Sequence, residues 1–221
     1  SLVAGAAVLW IVGGIFVGVL AALTRDTLID RGLMALALIG VSMPVYWLGE
    51  MMNLLSQSRF HDTWLFSWVP ALGYKPLMQD PIGWFKTLVI PWFTLAALYI
   101  GIYGRVLRAN LVEAYQEDFI RTARAKGLSP TRVIVVHVLR NALNPVVTVL
   151  GLQMGTLLGG TVLVEYVFNW PGMSTPLLRA VEGRDYPMVV GIVLTISVLF
   201  LLLNLVVELV HALLDPRVAH S

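Results

Sequence analysis

An all-α bundle of membrane-spanning helices is the fold class this sequence predicts, and three observations predict it. Apolar residues make up 58% of the 221, charged residues only 13%, and mean hydropathy is +0.81. Apolar runs of about 20 residues recur, the length that crosses a hydrocarbon core as a helix. A helix also satisfies its own backbone hydrogen bonds, which lipid cannot do. Together these features exclude a disordered chain and a soluble domain of ordinary composition. A net charge of +2 gives no argument for nucleic acid, and with no cysteine the chain lacks disulfides, thiolate catalysis and cysteine-metal sites.

Five spans are expected, at roughly 2–23, 32–55, 87–107, 143–167 and 188–213. The first lacks the basic leader and short apolar core of a signal peptide, so it reads as a true span. It carries Gly14 and Gly18, a spacing that lets helices approach closely. A short charged link with Arg25, Asp26, Asp30 and Arg31 follows. The second span is interrupted at Met43-Pro44, a kink site. Residues 56–86 form a loop dense in aromatics (Trp64, Trp68, Tyr74, Trp84), as suits a membrane–water interface. The third span ends in Arg105 and Arg108. The fourth carries Gly151, Gly155 and Gly159 on one face, which reads as a packing stripe or, alternatively, as the smooth wall of a translocation path. Residues 168–187 form a second loop with a short helix from about Thr175 to Glu182.

Counting basic residues in the links sets the orientation. Arg25, Arg31, Arg105, Arg108, Arg121, Arg124, Lys126, Arg132, Arg140 and Arg217 fall on one side. Arg59, Lys75, Lys86, Arg179 and Arg184 fall on the other. The side richer in basic residues is cytoplasmic, which places the 105–142 loop there.

That loop holds the one long polar stretch, 117–145, built as two short helices joined by a turn. Glu117 and Asp118 open the first helix, and Arg124 and Lys126 close it, an order that suits the helix dipole. Gly127 is the expected left-handed cap. Ser129-Pro130 then starts a second helix, and Asn144-Pro145 repeats the signal. Ala123, Ala125 and Gly127 are small, as a surface pressed into a partner requires. A basic helix lying on anionic lipid is the competing reading.

The run from Ala123 to Gly127, within FIRTARAKGLS and ahead of LRNALNP, resembles the signature loop of ABC importer permeases. Arg121-Thr122-Ala123 stands where the general pattern has Glu-Ala-Ala, which is similar to the branch importing dipeptides, oligopeptides or nickel. The closing Leu214-Asp215-Pro216-Arg217 is a supporting match. The resemblance implies a type I importer permease in a bacterial plasma membrane, with one further span ahead of Ser1 and six in the full-length protein. It also implies one permease domain over 1–221 and a coupling loop over 117–145. That loop would dock through Asp118, Arg121, Thr122, Ala123, Arg124, Ala125, Lys126, Gly127, Leu128 and Ser129. The implied partners are ABC ATPase subunits, a second related permease, an extracytoplasmic solute-binding protein, a peptide substrate and membrane lipid.

Glu50, Glu165 and Glu208 lie in or near apolar spans, where a carboxylate is costly. Glu165, with Gly155 and Gly159, is the candidate for the translocation path; pairing with a neighbouring helix is the plainer reading. Trp170-Pro171-Gly172 reads as a turn. His61, His137, His211 and His220 have no metal-ligand spacing. No phosphate-cradling glycine loop occurs, so ATP hydrolysis is assigned to another chain and no cofactor is expected. An ion-driven secondary transporter and a non-transporting membrane anchor remain as rival classes.

Overall fold

The computed structural model describes residues 1–125, 127–129, 132–139, 142, 153, 156–157 and 159–214. Among the described residues all regular structure is helical. The helices are α1 (Leu2–Leu23), α2 (Leu28–Ser42), α3 (Val45–Leu54), α4 (Pro81–Ala114) and α5 (Asp118–Ala125), followed by α6 (Ser174–Glu182) and α7 (Tyr186–Leu214). Residues 159–167 are also helical, and wide π-type turns occupy Leu55–Arg59 and Val133–Val138. Among the described residues α1, α4 and the Tyr186–Val206 part of α7 are each long and apolar enough to cross a membrane, and α2 with α3, bent by 104° at their break, form either a broken fourth span or a re-entrant loop.

Local chemistry sets the helix ends. α2 stops at Ser42 because Pro44, at φ −59° and ψ 136°, takes the extended backbone proline favours ahead of a new helix. α4 starts at Pro81, not near 87 as hydropathy alone suggests. Asp80 is its N-cap, accepting the Gly83 N–H on Oδ1 at 2.8 Å, and Pro81 occupies the first helical position. The Gly83 N–H and the Lys75 ammonium, 3.1 Å away, hold the Asp80 carboxyl below the usual carboxylate range. Asp185 starts α7 in the same way, accepting the Met188 N–H at 3.1 Å.

By its internal contacts the chain divides into two compact units. The first comprises Ser1–Leu9, Met43–Ala96 and Leu152–Ser221. Within it the Asn53 amide donates to the Val167 carbonyl at 3.4 Å, and the Gln57 amide donates to that of Pro70 at 2.9 Å. Tyr74 meets Trp170 edge-on at 5.0 Å, tying the first loop to the second. Trp84 and Phe85 both meet Trp92 edge-on. Trp64, at 87% exposed, points out of the loop.

The second unit comprises Trp10–Ser42 and Ala97–Gly151. Here α4 is flanked by α1 and α2. Gly14 faces Tyr103, and Gly18 faces Leu107 and the Gly104 carbonyl, so α1 and α4 run parallel. Trp10 is fully buried with its ring 4.9 Å from those of Tyr99 and Tyr103. Gly40 faces the Ala97 carbonyl while Gly101 faces the Ala37 carbonyl and Val41, so α2 runs antiparallel to α4. A Cβ at Gly101 would collide with the Ala37 backbone, so this seam needs glycine for close approach.

Candidate functional site

The candidate coupling loop begins where α4 ends. α4 runs to Ala114, three residues link it to α5, and α5 spans Asp118–Ala125. Its phase is set by Ile120 and Ala123, one turn apart, both buried inside the second unit. Asp118, Thr122 and Ala125 fall on the opposite, exposed face. Ala123, at 7% exposed, packs against its own chain and anchors α5 there.

Gly127 ends the helix with φ 76°, in the left-handed region. The Leu128 N–H reaches back to the Ala123 carbonyl at 3.4 Å, the long-range bond of a Schellman cap. Gly127 and Ser129 are exposed and Leu128 is half-buried. The Ser129 carbonyl accepts the Val133 N–H at 3.0 Å, passing the chain into the Val133–Val138 turn. Behind the loop, the Asn110 amide donates to the Ala142 carbonyl at 3.5 Å. The side chains of Arg121 and Arg124, and Lys126 altogether, lie outside the described residues.

The candidate path residues belong to the first unit. Glu165 is half-buried near the end of helix 159–167, and its Oε2 accepts the Ser174 N–H at 3.1 Å, at the first residue of α6. A carboxylate there satisfies a helix-end donor and complements the positive end of the dipole. Gly172 lies so close beneath it that a Cβ would overlap the carboxyl group. Trp170, buried at 5%, donates its backbone N–H to the Glu165 carbonyl at 2.8 Å. Glu165 thus holds the turn at Trp170-Pro171-Gly172. Among the described residues nothing stands within 4 Å of where a Cβ at Gly159 would be. Gly151 and Gly155 lie outside the described residues, as does the Glu208 side chain. Glu50 is exposed on α3.

One pair escaped the sequence reading. Arg108 Nε and Nη2 donate to Asp30 Oδ1 and Oδ2 at 2.6 and 2.5 Å, a bidentate fork from α4 to α2. The Asp30 side chain is 4% exposed. Its Oδ2 also accepts the Asp26 N–H at 3.0 Å, which Asp26 presents from a left-handed φ of 65°. In the sequence Asp30 stands only in a short charged link and Arg108 only as a basic residue marking a span end; the signal for pairing is an acid and a base near the ends of adjoining apolar runs.

Apolar helices of membrane-crossing length, with an amphipathic helix packed by one face against its own chain, define a membrane-embedded protein. The chain belongs to the family described as binding-protein-dependent transport system inner membrane component, whose model matches residues 14–220. It is 41% identical over 222 residues to the di/tripeptide transport system permease protein DppB of Pseudomonas aeruginosa, covering 94% of this chain and 66% of that one. It is 39% identical over 227 residues to the dipeptide transport system permease protein DppB of Escherichia coli K12, with the same coverages. The chain thus spans about two thirds, 66%, of the length of these relatives. In fold it is similar to a chain of the MetNI methionine ABC transporter solved in inward facing conformations, with TM-score 0.71, 17% identity, and coverage of 97% and 91% of the two chains. The fold is that of an ABC importer permease, and the chain is a membrane protein.

Proposed function

We propose that this chain is the membrane-spanning permease subunit of a binding-protein-dependent ABC importer whose cargo is peptides. The observation that carries this reading is the identity of 39–41%, spread over 94% of the chain, to two permeases named for dipeptide and di/tripeptide transport. The chain supplies a pathway and a docking loop, while ATP is hydrolysed by separate ATPase subunits. A second permease completes the pathway, and a solute-binding protein delivers cargo to the face carrying residues 56–86 and 168–187. The 117–145 loop lies in the cytoplasm, in keeping with the excess of basic residues in its links. Closure of the ATPase pair moves α5, and α4 carries that motion into the spans as a switch between two packings. The outward face of α5 at Thr122 and Ala125 supports docking, because it lies opposite the Ile120 and Ala123 face that packs against the chain.

The test is uptake in proteoliposomes holding the full-length permease, its partner permease, the ATPase subunits and the binding protein. Labelled dipeptide should accumulate only with internal access to ATP, and unlabelled di- and tripeptides should compete. Uptake driven by an ion gradient without ATP would show a secondary transporter. Competition by nickel but not by peptides would retain the family and change the cargo.

A further inference from the structure

We propose that the Asp30–Arg108 pair is a positioning contact that makes α2 follow α4 when the docking loop moves; this rests on the coupling role proposed above. Asp30, Arg108 and α5 all lie in the second unit. From Arg108, α4 continues only to Ala114 before the short link to Asp118. The load path is therefore brief, from α5 through the last turns of α4 to Arg108, and across the fork to Asp30 at the start of α2.

The seam between α2 and α4 explains why such a contact is needed. Gly40, Ala97, Gly101 and Ala37 bring the two backbones together over small groups. Small groups allow close approach but few interlocking side chains, so one helix can slide or roll on the other. A bidentate guanidinium–carboxylate fork resists both motions, because two parallel hydrogen bonds fix distance and orientation at once. Its setting is built for that purpose. Both Asp30 oxygens are engaged, the Asp26 backbone donor is turned toward it, and Asp30 is almost sealed from solvent. The other ion pairs among the described residues, Arg25–Asp26 and Lys75–Asp80, are exposed and join near neighbours in sequence.

The experiment uses the complete transporter in proteoliposomes and two readouts. Because this sequence has no cysteine, Leu28 and Glu113, both exposed in the second unit, can be replaced by spin-labelled cysteines once any cysteine elsewhere in the full-length chain is removed. In the otherwise unaltered protein their separation should stay the same with and without ATP. In Asp30→Asn it should broaden, and uptake per ATP hydrolysed should fall about five-fold, within the range by which single residues change coupling between sites. The ATPase subunits should remain bound. Arg108→Lys keeps the charge and loses the fork, so it should give a smaller loss of the same kind. A separation that changes with ATP in the unaltered protein, or Asp30→Asn with full uptake per ATP, would overturn the proposal. Ala125→Arg serves as the control for the underlying reading. If it keeps bound ATPase subunits and coupled uptake, the docking role of α5 is wrong, while the spin-label separations still report whether α2 and α4 move together.

Discussion

Arg108→Leu should destabilise the folded chain by about 3–5 kcal/mol, the usual cost of removing one partner from a buried ion pair. Asp30 would keep only the Asp26 N–H among its present donors to the carboxylate, in a position 4% exposed. The loss is therefore mainly the penalty of an uncompensated charge. That origin sets the order of a variant series. Asp30→Asn should cost less, since its amide oxygen still accepts hydrogen bonds. The double replacement Asp30→Leu with Arg108→Leu should recover much of the loss, because apolar substitutes for a buried pair are often neutral or better. Midpoints of unfolding in a denaturing-detergent titration give the ranking. Arg108→Leu at least as stable as the double variant would contradict the burial argument.

Ala125→Arg and Ala123→Asp should both disrupt ATPase binding, by separable routes. Ala125 is exposed, so a larger side chain there should change the stability of the isolated permease by no more than about 0.5 kcal/mol. If α5 is the docking helix, the same change should weaken ATPase binding about tenfold or more, as expected for a substitution in the centre of an interface. Ala123 is buried beside Ile120, so an aspartate there places a charge inside the permease itself and loosens α5 from its anchor. It should lower stability first and docking as a consequence. Gly127→Val adds a third signature. Among the described residues nothing stands within 4 Å of a Cβ at Gly127, so the expected effect comes from forcing a β-branched residue to φ 76°. Co-purification of ATPase subunits, read beside permease unfolding midpoints, separates the three. Ala125→Arg with normal ATPase retention would favour the lipid-surface reading of this loop.

Features governed by local chemistry were legible in the sequence. The expected first span coincides with α1, the break at Pro44 falls where one helix ends and another begins, and the expected short helix from Thr175 is α6 from Ser174. Gly127 adopts the left-handed turn that its position after a helix anticipates. What escaped depended on chemistry outside the apolar runs or on distant parts of the chain. Hydropathy placed the third span near 87 because it does not register an N-cap, whereas Asp80-Pro81 carries the true start. A small residue such as Ala123 suits a partner groove and a core equally well; only the burial of Ile120 one turn away fixes its phase. Asp30 and Arg108 are separated by 78 residues, and no local pattern pairs them. Glu165 stands out in the sequence as a costly carboxylate, but its use as the N-terminal partner of α6 required the fold of the Trp170–Ser174 turn.

The central claim is that the 117–145 loop faces the cytoplasm and meets the ATPase subunits there. A single cysteine at Ser129, exposed two residues beyond Gly127 in a sequence with no cysteine of its own, tests it most directly. In cells expressing the whole transporter it should resist an impermeant thiol reagent until the membrane is opened, and a short thiol cross-linker should then join it to an ATPase subunit. Cysteines at Ser67 and Thr175 should react from outside in the same cells. Labelling of the Ser129 cysteine in intact cells, or cross-linking that never captures an ATPase subunit, would contradict the account.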